Sequence, residues 1–294
     1  MKALVIAENE DAARFLAAGA RTLADQVVLV FLGDAPSGVA DKAYSVKVPE
    51  SSVADDAFLT VKGRYDIESP DVVLAEPTCH VRSVVGRLAA YAGTAVITDV
   101  TAFVEGAAKS LYFGGVGERV RRSSGPTGFY TVNPGLFQNA EASGTDVVEE
   151  LAWIAPEHPL TLVSSRKREK SGDDPSKADI VVAAGRGFAE ETDLGLARDL
   201  TDRLGGALAC SRPLTEGVSW MSSDTYIGVS GLMLAPKVYV ACGISGQMQH
   251  MVGCNRSGVI FAINKDKNAP IFRQCDFGLV GDVKDVIPAI LAAL

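Results

Sequence analysis

The chain has 294 residues, of which 47% are hydrophobic and 22% charged, the composition of an ordinary globular protein with room for two domains. Its formal net charge is −8 at pH 7, and its basic residues are dispersed except around 166–170. Nucleic-acid binding needs a basic face that replaces phosphate counterions, so this balance argues against nucleic acid as a main partner.

Neither a membrane span nor a metal site is expected from the sequence. No apolar stretch approaches the ~20 residues that a membrane-crossing helix needs, and the N-terminus enters a strand pattern without a signal-peptide layout. The five cysteines lack CxxC spacing, and the three histidines form no metal-ligand cluster. We therefore expect a cytoplasmic, reduced protein without a structural metal.

The first half of the chain alternates strand and helix signals. Strands are predicted at 2–7, 27–32, 71–75 and 95–98, and helices at 11–24 and 80–92. This alternation predicts a mostly parallel sheet with right-handed crossovers. From 103 to about 139 the alternation is lost, and antiparallel strands and long loops are expected there.

A polar, charged segment at 164–176 has no apolar period and is the best candidate for a domain boundary. We place an N-terminal α/β domain at 1–165, a linker at 166–176 and a second α/β domain at 177–294. The basic cluster in this segment is interpreted as a solvated loop.

Beyond the linker, turns that combine glycine with polar side chains follow each predicted strand. Strands are predicted at 179–184, from 208, at 238–241 and at 259–263, with a helix at 192–204 that stops at Gly205. Glycine lets a backbone turn tightly and approach a ligand closely. Since ligands of open α/β sheets bind at the carboxyl ends of the strands, these turns predict one long cofactor cleft.

The common nucleotide-binding motifs are absent from the sequence. There is no GxxxxGK[ST] loop, and the Gly115-Val-Gly117 sequence has Val120 where a dinucleotide fingerprint has its third glycine. A plain NAD-binding Rossmann domain and a P-loop enzyme are therefore both disfavoured.

The order of the polar turns resembles that of the flavin domain of electron-transfer flavoprotein alpha subunits. The resemblance covers the chain from about 178 to its end, through GRG (185–187), SR (211–212), SG (230–231), GISGxxQH (243–250), INKDxxAPIF (263–272) and GD (281–282). The first half agrees more loosely. The Met-Gln-His-Met-Val-Gly sequence at 248–253 looks nearest to the FixB-type branch, which is associated with bacterial anaerobic and carnitine-related metabolism.

The resemblance implies two α/β domains, each with a mostly parallel sheet flanked by helices, the second a Rossmann-like FAD domain. It also implies an electron carrier, paired with a beta subunit, that connects acyl-CoA dehydrogenase-like partners to a downstream acceptor without converting a metabolite itself. The FAD-contacting positions of the family fall on Arg186, Ser211, Arg212, Ile227, Gly228, Val229, Ser230, Ser245, Gly246, Gln247, Met248, Gln249, His250, Asn264 and Asp282.

Flavin chemistry suggests roles for two of these side chains. Reduced flavin carries negative charge near N1 and O2, where Arg212 or His250 would act as a fixed cation or hydrogen-bond donor. A charge-assisted hydrogen bond is worth ~1.5–3 kcal/mol, on the order of 60–130 mV for a one-electron couple. The turn at 243–246, which is expected to open a helix at Gln247, would offer amides and a positive dipole end to anionic oxygens.

The remaining polar positions are assigned along the length of FAD. Ser230 is expected to bond flavin N5, Arg186 the pyrophosphate, and Asn264 and Asp282 the ribose or adenine end. Asp282 could alternatively serve only as the cap of a helix that starts near 283. Most of the family has an amide side chain at the position of Val229, so no side-chain contact to flavin is expected from this residue.

Two other functions stay open on the sequence alone. One is a stand-alone flavin- or nicotinamide-dependent oxidoreductase, although no acid–base pair or nucleophile stands in a recognisable setting. The other is a non-redox module whose cleft holds an adenine nucleotide only.

The N-terminal domain is expected to hold no nucleotide and to form the surface that joins the beta subunit. Cys210 and Cys242 are interpreted as small buried residues instead of redox thiols.

Overall fold

The computed structural model describes residues 1–137, 140–165 and 174–294, and it divides the chain into two compact units. The first unit comprises Met1–Tyr112 and Gly117–Arg166, and the second comprises Phe113–Val116 and Lys167–Leu294. Most of the linker predicted at 166–176, including its basic cluster, lies outside the described residues.

The described residues of the first unit form a nine-stranded sheet and three α-helices. The strands are β1 (Lys2–Ala7), β2 (Gln26–Leu32), β3 (Lys42–Val46), β4 (Val72–Ala75), β5 (Val96–Val104), β6 (Ala107–Tyr112), β7 (Gly117–Arg121), β8 (Gly128–Val132) and β9 (Val148–Leu151). The helices are α1 (Glu10–Ala20), α2 (Phe58–Glu68) and α3 (Cys79–Tyr91).

The strand order of this sheet is β7-β6-β5-β8-β4-β1-β2-β3-β9, and only the β5–β6 and β6–β7 pairs are antiparallel. β1, β2 and β4 are almost wholly buried because their apolar runs face a core on each side of the sheet. Helix α1 packs into one core, and α2 and α3 pack into the other.

The structure corrects several predicted boundaries in this unit. Helix α1 ends at Ala20, short of 24, because the backbone amide and hydroxyl of Thr22 both bond the Gly19 carbonyl and turn the chain. Strand β5 continues past 98 to Val104, through an irregularity at Asp99, which has a φ of +55°.

Other elements of the first unit were not expected. β3, α2 and β9 were not predicted. The sequence did not predict helix α2 because only Thr60, Val61 and Glu68 of its residues are buried, and these positions form no regular apolar period. Between 103 and 139, β6 and β7 are antiparallel as expected, but β8 is a parallel strand between β4 and β5.

In the second unit, the part of the chain that the structure describes forms a six-stranded, wholly parallel sheet. Its strands are β10 (Ile180–Ala184), β11 (Ala207–Ser211), β12 (Tyr226–Ile227), β13 (Val238–Cys242), β14 (Val259–Asn264) and β15 (Phe277–Val280). Its helices are α4 (Leu194–Leu204), α5 (Met248–Met251) and α6 (Val283–Ala293), joined by a π-helical turn at Pro213–Gly217 and a 3₁₀ turn at Pro270–Arg273.

The strand order β12-β11-β10-β13-β14-β15 corresponds to 3-2-1-4-5-6 in chain order, the arrangement of dinucleotide-binding sheets. Helices α4 and α6 pack on one face, while α5 and the 3₁₀ turn pack on the other. Together with the first sheet, this order confirms the predicted fold class of two α/β domains with mostly parallel sheets. Helix α4 ends at the predicted residue because Gly205 adopts the left-handed conformation, with a φ of +64°.

Candidate functional site

Six loops meet along one edge of the second sheet. All six strands are parallel, so their carboxyl ends share that edge. The loops begin at Gly185 after β10, Arg212 after β11, Gly228 after β12, Gly243 after β13, Lys265 after β14 and Gly281 after β15. Crevices at this edge are where open α/β sheets bind ligands, and the direction of winding reverses here between β10 and β13.

A cleft of about 690 Å³ runs along this edge. Its volume falls within the ~300–1,000 Å³ that is usual for small-molecule sites. Of the residues predicted as contacts, those that line it are Arg186, Ser211, Arg212, Ile227, Gly228, Val229, Ser230, Ser245, Gln247, Gln249, His250, Asn264 and Asp282. The cleft therefore brings together side chains that the sequence distributes from 186 to 282.

Two predicted positions, Gly246 and Met248, are not part of the cleft lining. The backbone of Gly246, with a φ of +80°, packs so closely on Ile271 that an added Cβ would lie 2.4 Å from the Ile271 Cα. Its carbonyl accepts a hydrogen bond from Gln274 Nε2 at 3.0 Å. Gly246 thus serves the packing of the turn, and Met248 is an exposed residue at the start of α5.

Glycines at the ends of β10 and β13 allow two backbones to cross in contact. The amide of Gly187 donates to the Gly243 carbonyl at 2.9 Å, and the amide of Gly185 donates to the Cys242 carbonyl at 2.9 Å. A Cβ on Gly187 would lie 2.5 Å from the Gly243 Cα, and a Cβ on Gly243 would lie 2.6 Å from the Gly187 Cα. These glycines close the floor of the cleft without filling it.

The loop after β12 is held against α5 by its backbone. The amide of Val229 donates to the Gln249 carbonyl at 2.9 Å. Gly228 has a φ of +138°, and a Cβ there would lie 2.6 Å from the same carbonyl oxygen. The side chains of Val229 and Ser230 are exposed at the cleft, so this loop presents its backbone and the Ser230 hydroxyl to a ligand.

Helix α5 is too short to act as a strong dipole. It covers only Met248–Met251, although it begins after Gln247 as predicted. The effective charge at a helix end comes from aligned peptide units over several turns. We therefore correct the expectation that a helix dipole here attracts anionic oxygens, and single amides are the donors that remain.

His250 lies in α5 and is 8% exposed at the wall of the cleft. Its Nε2 is 2.7 Å from the buried hydroxyl of Tyr239, and its Nδ1 has no hydrogen-bond partner among the described residues. Burial lowers the pKa of His250 to about 4, against a smaller opposing effect of the Ile227 carbonyl. His250 is therefore a neutral ring, which argues against its expected role as a fixed cation, while its expected role as a hydrogen-bond donor stays a prediction.

Two arginines and Lys265 contribute positive charge to the cleft. Arg186 follows β10 and is exposed. Nε of Arg212 donates to Glu216 Oε2 at 2.7 Å, and this hydrogen bond raises the pKa of the Arg212 guanidinium. Both partners of the pair are more than half exposed. Exposed ion pairs contribute little stability, so Arg212 can exchange Glu216 for an anionic ligand.

The two residues assigned to the ribose or adenine end also bind the chain's own backbone. Asn264 Nδ2 donates to the Ile244 carbonyl at 2.8 Å, and its Oδ1 accepts from the Asp266 amide at 2.9 Å. Asp282 caps α6, since its Oδ1 accepts from the Lys284 amide at 3.0 Å. Asn264 thus ties the loops after β13 and β14 together, while Oδ2 of Asp282 has no hydrogen-bond partner among the described residues.

Ten lining residues were not among those predicted, namely Gly187, Pro213, Tyr226, Gly243, Ile244, Lys265, Asp266, Ala269, Pro270 and Val283. Lys265 and Asp266 lie inside the INKD motif, which could have indicated them. Tyr226 carries no such signal, because its role depends on a contact across the loop, where its hydroxyl donates to the Ser230 carbonyl.

The cysteines near the cleft are protected thiols. Cys210 and Cys242 are fully buried and do not line the cleft. Burial raises the pKa of Cys210 to about 11 and that of Cys242 to about 12. Because the thiolate is the reactive form, the structure favours their interpretation as small buried residues over redox thiols.

Across residues 1–137, 140–165 and 174–294, no group of histidine, cysteine and carboxylate side chains is arranged to hold a metal ion. Within the same ranges, no helix has the length and apolar character needed to cross a bilayer.

Comparisons with known proteins match both halves of the chain. A family model described as the electron transfer flavoprotein FAD-binding domain matches residues 174–255, and one described as the electron transfer flavoprotein domain matches residues 3–155. Protein FixB of Escherichia coli O81 (strain ED1a) is 36% identical over 289 residues, which cover 94% of this chain and 92% of that protein. Protein FixB of Escherichia coli O139:H28 (strain E24377A / ETEC) is 44% identical over 188 residues, covering 63% of this chain and 60% of that protein.

Proposed function

The chain belongs to the electron transfer flavoprotein family, as an alpha-type subunit with an FAD-binding domain, and from this premise we propose where its electrons pass. FAD is held in the cleft at the carboxyl edge of the second sheet, within a heterodimer formed with a beta-type subunit. The electron donors are flavin dehydrogenases of the acyl-CoA dehydrogenase type, and the acceptor is a downstream redox protein. We place this exchange in the cytoplasm.

The donor set of the cleft fits FAD. FAD supplies a ring that accepts and releases electrons, linked through an anionic pyrophosphate to ribose and adenine. Arg186 and Arg212 provide cations for the anionic part, and the free carboxylate oxygen of Asp282 accepts from a ribose hydroxyl. The unpartnered Nδ1 of His250 is a buried polar atom that a ring carbonyl would satisfy.

One observation carries this proposal above the alternatives. The 3-2-1-4-5-6 order places the glycines that follow the first and fourth strands against each other at the point where the winding reverses, within the cleft lining. A stand-alone oxidoreductase would need in addition an acid–base pair near the cleft. Among the buried titratable groups of the second unit, Cys210 and Cys242 are instead protected thiols and His250 is neutral.

The test is a visible absorption spectrum of the chain purified together with its beta-type subunit. We expect a yellow complex with one FAD per alpha chain, which bleaches on stepwise reduction with dithionite. Arg212→Ala should weaken FAD binding, whereas Arg198→Ala, an exposed arginine of α4 outside the cleft, should not. A colourless complex that takes up no added FAD would contradict this proposal and favour a non-redox module that binds an adenine nucleotide.

We further propose that the first unit holds no nucleotide and provides the surface for the beta-type subunit. The corresponding crevice of its sheet, between β1 and β4, contains the buried carboxylate of Glu76. Glu76 Oε2 accepts from the amides of Glu8 and Asn9 at 2.9 and 3.1 Å, and Oε1 accepts from Asn9 Nδ2 at 2.5 Å. These amides precede α1, where a phosphate would otherwise bind.

This second proposal is tested by counting nucleotides. The full-length chain is incubated with FAD and AMP, freed of unbound ligand by gel filtration, and denatured for chromatography. We expect FAD alone. Recovery of AMP together with FAD in equal amount would contradict the assignment of the first unit.

A further inference from the structure

A buried hydroxyl–imidazole pair lies at the wall of the cleft. Tyr239 belongs to β13, and its side chain is completely buried. Its hydroxyl oxygen lies 2.7 Å from Nε2 of His250, whereas Nδ1 of the same ring has no hydrogen-bond partner among the described residues. The two ring nitrogens therefore have unequal surroundings.

The tyrosine is the donor in this pair. Another group near its hydroxyl is the thiol of Cys254, a weak acceptor whose Sγ is itself directed to the His250 carbonyl. An imidazole nitrogen accepts more strongly.

Both groups are neutral at physiological pH. Burial lowers the pKa of His250 to about 4 and raises that of Tyr239 well above its usual value of 10. A neutral imidazole has a single N–H, and Nε2 is the accepting nitrogen here. The remaining proton is therefore on Nδ1.

We propose that Tyr239 is a positioning residue of the FAD site, whose hydroxyl holds His250 in the tautomer that carries its proton on Nδ1. The ring then offers a neutral N–H at the cleft wall to a carbonyl oxygen of the flavin. The identity of this acceptor rests on the proposed function, but the tautomer does not. Without the tyrosine hydroxyl, His250 can carry its proton on Nε2 and turn a lone pair towards the same carbonyl.

The tautomer is measured by ¹⁵N NMR of the full-length chain labelled at histidine. Only three histidines contribute, and His80→Gln and His158→Gln variants assign the third by elimination. We expect the proton of His250 on Nδ1 in the wild type and a shift towards Nε2–H in Tyr239→Phe, which removes one oxygen and keeps the ring in the core. A wild-type proton on Nε2, or an unchanged tautomer in Tyr239→Phe, overturns the proposal. Tyr130→Phe, a buried tyrosine of the first unit, is the matched control.

The second readout is the reduction potential of FAD in the complex with the beta-type subunit. Tyr239→Phe should lower the preference for reduced over oxidised flavin about tenfold, which is ~59 mV for a one-electron step. In a His250→Asn background, where an amide replaces the imidazole, the same change should have no further effect. A shift that persists in that background means that Tyr239 acts through packing alone. Loss of FAD binding by the wild type would count against the proposed function and would leave the NMR result intact.

Discussion

Single residues divide the cleft into a charged part and a neutral part. Arg186 and Arg212 are exposed cations, whereas His250 is buried and uncharged because burial lowers its pKa to about 4. Salt screens exposed charges strongly and buried dipoles weakly. Ionic strength should therefore affect the affinity for the anionic part of FAD more than it affects the potential of the flavin ring.

Gly243 is the residue whose substitution should damage the cleft most directly. Its φ of +67° and its contact with Gly187 leave no space for a Cβ, so Gly243→Ala should destabilise the second unit by ~1–3 kcal/mol and abolish FAD retention. Gly195→Ala is the control, because Gly195 lies in α4 with open space around it, and alanine should there stabilise by up to ~1 kcal/mol. Urea unfolding and bound FAD are measured for both variants, and an unaffected Gly243→Ala would contradict the close crossing of the two backbones.

Thiol reactivity should follow burial. In the native chain a disulfide reagent should modify the exposed Cys79 first and the partly buried Cys275 more slowly. Cys210, Cys242 and Cys254 should react only after denaturation, because burial raises the pKa of their thiols to about 11, 12 and 12. Mass spectrometry of modified peptides identifies the sites. Rapid labelling of Cys210 or Cys242 in the native chain would contradict their burial and support the interpretation as redox thiols.

At the scale of elements, two buried carboxylates hold helices and strands of the first unit together by hydrogen bonds. Glu76 joins the end of β4 to the backbone that leads from β1 into α1. Glu68, at the end of α2, accepts hydrogen bonds from Lys2 of β1 and from Lys42 and Tyr44 of β3. Glu76 thus connects β4 to the turn between β1 and α1, and Glu68 connects α2 to β1 and β3.

Removal of the Glu76 carboxylate should weaken the packing of β4 against the turn between β1 and α1 and lower the free energy of unfolding. Glu76→Ala leaves two backbone amides without their acceptor, at an expected cost of ~2–4 kcal/mol in the free energy of unfolding. Glu10→Gln, an exposed residue of the same helix, should change it by less than ~0.5 kcal/mol. Chemical denaturation compares the two. Equal stability of the two variants would mean that the amides find another acceptor.

The contribution of Glu68 should depend on pH. Burial alone would raise the pKa of this carboxyl, but the hydrogen bonds from Lys2 and Lys42 outweigh it and lower the pKa below 4.5. A lowered carboxyl pKa stabilises the folded state above the unfolded value, and this stabilisation is lost as pH falls through the folded value. The wild type should therefore exceed Glu68→Gln by ~1–3 kcal/mol at pH 7, with the difference shrinking below pH ~4.5.

The matched control for this pH dependence is Glu149→Gln, which changes an exposed carboxylate of β9. Its difference from the wild type should stay small between pH 7 and pH 4. A Glu68→Gln difference that grows on acidification would show that the sign of the pKa shift is wrong.

Elements with a local signal were predictable from the sequence, and those defined by distant contacts were not. Gly205 marks the end of α4 by its own conformational preference, and the apolar run of β2 identifies a buried strand by itself. Helix α2 and strand β3 are stabilised by partners such as Glu68 and Lys42, which no local pattern reveals. The same distinction separates the cleft residues within motifs from Tyr239, whose role depends on the spatial approach of β13 to α5.

On the scale of the whole molecule, the two units use similar sheets in different ways. The order β3-β2-β1-β4 of the first sheet repeats as β12-β11-β10-β13 in the second. Where the winding reverses, the first sheet has the carboxylate of Glu76 bound to its own amides, and the second has glycines and exposed arginines. The same strand order thus forms a crevice occupied by the chain's own Glu76 carboxylate in the first unit and a crevice open to a ligand in the second.

The cleft is assembled from loops after all six strands of the second sheet, so FAD held there as proposed should bind only when that sheet is complete. A ligand of this kind stabilises the folded state by mass action, by ~2.7 kcal/mol at 100 times its dissociation constant. Calorimetry should accordingly show that added FAD raises the melting temperature of the second unit and not that of the first. Equal shifts in both units, or none, would contradict this. In a growing cell, riboflavin supply would then determine how much of this protein escapes proteolysis, as well as how much of it can carry electrons.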